Sequence, residues 1–216
     1  MSKIVALTFD DGPNTTTTME VLDKLEKYNV VGTFFLIGDN INSESEKSVK
    51  RAVSMGCEIE NHSKTHSEMN TLTPEEIKSE IAYTTKKITE ITGRAPEFFR
   101  PPYIIVNRTM VDNIDLPFIR GENGRDWEKE VPAEERVRLV LEAVKDGDII
   151  LLHDFEDNDA TVEALDTIIP KLLEDGYEFV NVSELFRRKG ITPTIHSGIL
   201  YSSVFQTDEY DYDEKL

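Results

Sequence analysis

Short apolar runs alternate with amphipathic stretches along almost the whole chain, which predicts parallel strands joined by helices. The strand candidates are Ile4 to Phe9, Thr33 to Ile37, Glu58 to Glu60, Phe98 to Phe99, Pro117 to Ile119, Ile149 to Leu152 and Glu178 to Val180. Between them, Ile77, Ile81, Ile88 and Ile91 recur on one side of a predicted helix that opens at Thr73-Pro74-Glu75-Glu76. That opening combines an N-cap threonine, a proline at the first position and a glutamate placed for a capping box, and Gly93 suits the exit. A second helix carries Val137, Val140, Leu141 and Val144 and should stop by Gly147. A third, from about Asn158 to Asp175, repeats Val162, Leu165, Ile168, Ile169 and Leu172, with Pro170 expected to kink or split it. No repeat and no Gly/Ser/Pro linker divides the chain, so the expectation is one α/β domain. Its roughly seven strand–helix units suit a barrel-like sheet better than an open one. The acidic stretch Gln206 to Leu216 is expected to be a loose tail.

Composition narrows the partners. A formal charge of −18 over 216 residues excludes nucleic acid and anionic membranes as main partners, because both require clustered Lys and Arg. It leaves a neutral sugar polymer open. Cys57 is the single cysteine, so no intrachain disulfide forms, and its place in an apolar strand reads as inert core. Met1-Ser2-Lys3-Ile4 runs straight into a strand without the features of a signal peptide. The expected location is therefore the cytoplasm, unless an export signal has been removed.

Chemistry collects at strand ends. The first strand runs into Asp10-Asp11-Gly12-Pro13. Adjacent carboxylates at a strand end point in different directions, so one can bind a metal while the other handles a proton; an acidic β-turn would read the same way. His62 and His66 stand at i,i+4, the spacing of two imidazoles on one helical turn sharing an ion, or of two surface histidines. With Asp11 they make a two-histidine, one-carboxylate set that leaves positions for water and substrate. His153 ends the strand Ile149 to Leu152 and is either a satisfied core histidine or a general acid, with Asp126 the candidate to keep it protonated. Arg100, in Arg100-Pro101-Pro102-Tyr103, could pair with Asp10. No Gly-x-Ser-x-Gly elbow, Gly-rich phosphate loop, His-Glu-x-x-His or paired-cysteine signature offers another route.

Taken in order, five segments resemble the five motifs of the NodB-type polysaccharide deacetylases, carbohydrate esterase family 4. They are Thr8-Phe9-Asp10-Asp11-Gly12-Pro13, His62-Ser63-Lys64-Thr65-His66, Arg100-Pro101-Pro102-Tyr103, Asp126-Trp127 and Leu151-Leu152-His153. The resemblance covers residues 3 to about 188. It implies a distorted (β/α) barrel over residues 1–190 as the catalytic domain, followed by a partly loose extension over 191–216. It also implies a divalent metal, zinc first among zinc, cobalt, manganese and nickel, on Asp11, His62 and His66. By the same resemblance Asp10 is the catalytic base, His153 the acid, Arg100 the residue orienting the base and Asp126 the one tuning the acid. Trp127 and Leu151 would wall the acetyl pocket, and the Tyr103 N–H would donate to the oxyanion.

The compact segments around Leu116 to Gly121, Asp148 to Asp154 and Gly176 to Val180 look most similar to clostridial acetylxylan esterases of this family. The expected substrate is therefore acetylated xylan or xylo-oligosaccharide, with N-deacetylation of chitin oligosaccharides or peptidoglycan as the alternative. One departure is Asn123, where the fourth motif often has Asp. His196 falls outside every motif and receives no role, and the sequence leaves the oligomeric state open.

Overall fold

The computed structural model of the chain describes residues 3–210, Asn123 by its backbone alone. Eight strands are formed there: β1 Lys3–Asp10, β2 Thr33–Leu36, β3 Glu58–Asn61, β4 Phe118–Ile119, β5 Glu122–Asn123, β6 Ile149–His153, β7 Tyr177–Phe179 and β8 Leu200–Tyr201. Seven α-helices connect or follow them: α1 Thr17–Tyr28, α2 Glu46–Ser54, α3 Pro74–Thr92, α4 Arg108–Asn113, α5 Ala133–Ala143, α6 Asp159–Glu174 and α7 Val182–Lys189.

Every strand ladder is parallel. The main sheet runs β3-β2-β1-β6-β5, with β7 beside the first half of β1, while β4 and β8 pair separately. Single bridges from Asn61 to Phe99 and from Phe99 to Phe118 carry the sheet across to β4. The N–H of Ile149 donates to the Ser202 carbonyl at 2.9 Å and returns the circuit to β6. The result is the expected distorted barrel, with one expected strand, Phe98 to Phe99, reduced to bridges and two short ones, β5 and β8, added.

The alternation of β1 shows how the sequence sets this up. Val5, Leu7 and Phe9 face outward into one apolar cluster with Leu22 and Leu25 of α1 and Leu165, Ile168 and Ile169 of α6. Ile4 and Ala6 face inward with Ile119, Ile149 and Val180. Successive side chains of a strand take opposite faces, so the inward row continues through Thr8 to Asp10. Each large apolar side chain buried this way stabilises the fold by about 1.5–3 kcal/mol. The same packing that builds the core therefore aims Asp10 into the barrel mouth.

Helix α3 starts and stops where the sequence predicts. The Thr73 and Glu76 side chains cap each other's backbone N–H groups, and Gly93 leaves the helix at φ 73°. Helix α6 is neither split nor ended by Pro170. Proline removes one N–H from the ladder. The Asp166 carbonyl that would have received it instead accepts from the Tyr28 hydroxyl at 3.4 Å.

The described part of the segment beyond Gly190, up to Tyr210, stays on the body. Leu200 and Tyr201 form β8, Glu209 bridges to Ile199, and Tyr210 packs against the cluster containing Met110 and Phe118. His196 clasps this segment to α4, with one ring nitrogen 2.6 Å from the Val111 carbonyl and the other 2.9 Å from Asp115. The expected loose tail is thus held down through Tyr210, because backbone bridges and an aromatic anchor fasten it. Residues 211–216 and the Asn123 side chain lie outside the described residues. No helix among the described residues is long and apolar enough to cross a membrane.

Candidate active site

The carboxyl ends of β1, β2, β3 and β6 and the loop after Phe99 meet at one mouth of the barrel. In the β1–β6 ladder Asp10 stands opposite His153, so register alone sets these two side by side. His62 follows β3, its N–H donating to the Leu36 carbonyl of β2, and Arg100 is brought in by its own N–H bond to Asn61. Asp10, His62 and His153, together with Asp11, His66, Tyr103, Trp127 and Leu151, line a cleft of about 410 Å³. Arg100 and Asp126 are fully buried behind that lining. The structure brings together all ten residues singled out in the sequence.

The histidine pair does not form in the predicted way. Residues 62–66 form a loop rather than a helical turn, with Ser63 at φ 68° and His66 at φ 56°. The loop is held by the Ser63 hydroxyl, which accepts from the His66 N–H at 3.0 Å. The Glu80 carboxylate also accepts from the N–H groups of Lys64 and Thr65. Asp11, at φ 76°, and Tyr103, at φ 57°, are left-handed as well. Such conformations cost a non-glycine residue energy and gather where surrounding structure enforces them.

The residues present fit a divalent cation. Nε2 of His62 and Nε2 of His66 each lie 3.4 Å from Asp11 Oδ1. That oxygen is buried and has no hydrogen-bond partner among the described residues. The Nδ1 of His62 lies 2.7 Å from the Arg100 carbonyl, which must receive a proton from it, so the lone pair of Nε2 points at the shared position. Ligand atoms of all three residues fall within 4.8 Å of one another, and among the described residues they form the one such group. Burial raises the Asp11 pKa, but the neighbouring imidazoles, His62 foremost, then His153 and His66, outweigh it and hold it at about 2. A metal-binding site for a divalent ion is therefore present.

Two further pairs flank it. Arg100 Nη1 donates to Asp10 Oδ1 at 2.5 Å, and its guanidinium lies 4.1 Å from the centre of the Phe35 ring. On the other side, Nδ1 of His153 lies 2.8 Å from Asp126 Oδ1, and the His153 N–H donates to Asp126 Oδ2 at 2.7 Å. Burial pulls the His153 pKa down, but the Asp126 charge and hydrogen bond, aided by Asp10 and Asp11, lift it to about 9. The imidazole is therefore protonated at neutral pH.

Sequence reasoning missed what supports these groups. Asp154 is fully buried and accepts from the Gly12 N–H at 3.2 Å and from the Thr18 hydroxyl, while its carbonyl receives the Asn14 amide at 2.6 Å. It braces the turn that presents Asp11. A Cβ on Gly12 would lie 2.6 Å from an Asp154 oxygen, which explains why the turn carries glycine there. Burial, with Asp11 and Asp10 close by, lifts the Asp154 pKa to about 7 despite those hydrogen bonds. Arg136 is buried too and binds Asn158 and Thr161 at 2.6 and 2.7 Å; Thr161 in turn donates to Asp126 at 2.8 Å. The available signal was an arginine on the buried stripe of α5, between Ala133 and Val140.

The barrel and the Asp-His-His cluster with its flanking ion pairs define a metal-dependent hydrolase-type site. Residues 1–115 match the family model described as polysaccharide deacetylase. The chain is 54% identical over 193 residues, 89% of its length, to a bifunctional xylanase/deacetylase from Pseudobutyrivibrio xylanivorans, and spans 32% of that relative. Among solved structures it is similar to the family 4 domain of a multidomain xylanase from the hindgut metagenome of Trinervitermes trinervoides. There the TM-score is 0.92 and the identity 48%, covering 94% of this chain and 98% of that one. A family 4 acetyl xylan esterase from Clostridium thermocellum, in complex with a cobalt ion, gives a TM-score of 0.90 at 45% identity, covering 94% and 100%. The chain belongs to the polysaccharide deacetylase family. Within it, the chain is similar to the xylanase-associated family 4 esterases.

Proposed function

We propose that this protein removes O-acetyl groups from acetylated xylan or xylo-oligosaccharides, releasing acetate. The observation that carries the chemistry is the position of the Asp11-His62-His66 cluster between a carboxylate on one strand and an Asp-paired, protonated imidazole on the next. The likeness to xylanase-associated esterases supports xylan as the polymer. The charge of −18 suits a neutral backbone better than an anionic cell wall.

Asp11, His62 and His66 would hold the ion, and two nitrogens with one carboxylate suit zinc, with cobalt, nickel or manganese able to replace it. Bound there, the ion supplies Lewis acidity and lowers the pKa of water to near neutrality. Asp10 takes the proton of the attacking water while Arg100 fixes which carboxylate oxygen faces the cleft. The tetrahedral oxyanion of the substrate accepts the Tyr103 N–H, which has no partner among the described residues because Tyr103 stands left-handed at the loop tip. A donor of this kind lowers the barrier by about 3–4 kcal/mol. His153, its Nδ1 engaged by Asp126, gives the Nε2 proton to the departing sugar oxygen. Leu151 closes the floor around the acetyl methyl. Trp127 and Tyr103, 47% and 55% exposed, offer rings on which sugar faces stack.

Acetate release from acetylated xylan and from N-acetylchitooligosaccharide, measured in parallel, tests this. Release from xylan is the expected result, and release from the chitooligosaccharide alone would replace the proposal with N-deacetylation. The acid assignment has its own test. His153 retains its proton up to about pH 9. Activity that depends on it is therefore present at neutral pH and falls as pH rises through that value. Asp126→Asn removes the charge that lifts it, and the alkaline limb of the kcat profile should move down by about 1–3 pH units. An unmoved limb would assign that titration to another group.

A further inference from the structure

The chain has ten arginines, and nine of them have a carboxylate or hydrogen-bond partner. The tenth is Arg120, which lines the active-site cleft. Its backbone is fixed by an N–H bond to the Tyr201 carbonyl at 3.0 Å, but its guanidinium has no partner among the described residues. Gly121 explains how it comes to stand there. At φ 94°, this residue passes so close to β6 that a Cβ would lie 2.9 Å from Leu151 Cβ and 3.2 Å from Arg100 Nη2. The turn therefore presses against the acetyl-pocket floor and leaves Arg120 on the wall beside it.

In a protein with 42 acidic residues against 24 basic ones, an unpaired guanidinium in the cleft is a marked exception. Neutral sugar hydroxyls could be met by an amide or hydroxyl side chain without a fixed charge. A planar, always-charged fork matches a carboxylate, which it binds through two parallel N–H bonds. Arg100 is no alternative, because it is buried behind the cleft lining and committed to Asp10.

We propose that Arg120 is a specificity-determining residue that binds a carboxylate carried by the sugar chain next to the acetylated unit, so that uronic-acid-bearing acetylated xylan is the preferred substrate class. This rests on the deacetylase reading above and sharpens it. The test compares kcat/KM for acetate release from acetylated xylo-oligosaccharides with and without a uronic acid branch, in the metal-loaded wild type, Arg120→Gln and Arg120→Lys. The wild type should prefer the acidic oligosaccharide about tenfold or more, the range of a charge-assisted hydrogen bond. The preference should fall to near one in Arg120→Gln and partly return in Arg120→Lys. A wild-type ratio near one, or a ratio that Arg120→Gln leaves unchanged, would overturn the proposal. A third substrate, an oligosaccharide of N-acetylglucosamine and N-acetylmuramic acid, carries the same group on another backbone. An Arg120-dependent preference there with no activity on xylan would retain the carboxylate contact and overturn the xylan reading.

Discussion

Asp10→Asn is expected to lower kcat for acetate release by about 10²–10⁴-fold while leaving metal content and fold intact, because it removes general-base catalysis alone. The amide keeps the shape of the carboxylate, and its oxygen can still accept from Arg100. That matters because Arg100 is fully buried, and stripping it of its acceptor would cost stability as well. The informative comparison is therefore with Asp10→Ala, which should lose both activity and melting temperature. Full activity in Asp10→Asn, with the ion bound, would remove Asp10 from the proton-transfer step.

The second large effect concerns the ion. Treatment with a chelator and dialysis should reduce activity to background, and added zinc or cobalt should restore it. His66→Ala should bind the ion far more weakly than the wild type, and metal content after dialysis reads this without any assay of turnover. The melting temperature offers an independent readout. An ion at a hundredfold excess over its dissociation constant stabilises the folded chain by about 2.7 kcal/mol, and most of that increment should vanish in the variant. Unchanged metal content in His66→Ala would take that residue out of the ligand set.

Much of the site was legible because it lies where strands end, and strands announce themselves by short apolar runs. Asp10 and His153 could be placed from Ile4 to Phe9 and Ile149 to Leu152 without knowing their partners. Periodicity was least informative where the backbone leaves regular structure. The i,i+4 spacing of His62 and His66 reads as a helical turn, yet Ser63 and His66 are left-handed and the loop depends on Glu80, 14 residues further along the chain from His66. Spacing along a chain carries no record of such long-range hydrogen bonds. The same holds for Asp154 and Arg136, whose importance comes from burial. Burial of a charged group is decided by the partners it finds, here Thr18 and Gly12 for one and Asn158 and Thr161 for the other. The short strands β5 and β8, two residues each, were missed because so few residues show no alternation.

The alignment of Asp10 with His153 across one rung of the sheet has a consequence for how such a protein can change. The backbones of these two proposed proton carriers are set apart by the spacing of neighbouring strands, about 4.8 Å, and are locked by the central ladder. Tyr103, Arg120 and Trp127 belong instead to connections around the mouth. Mutation can therefore rework those connections, and with them the polymer that is recognised, while the reacting core is inherited unaltered. One barrel can in this way be fitted to differently built sugar chains by changing its rim alone.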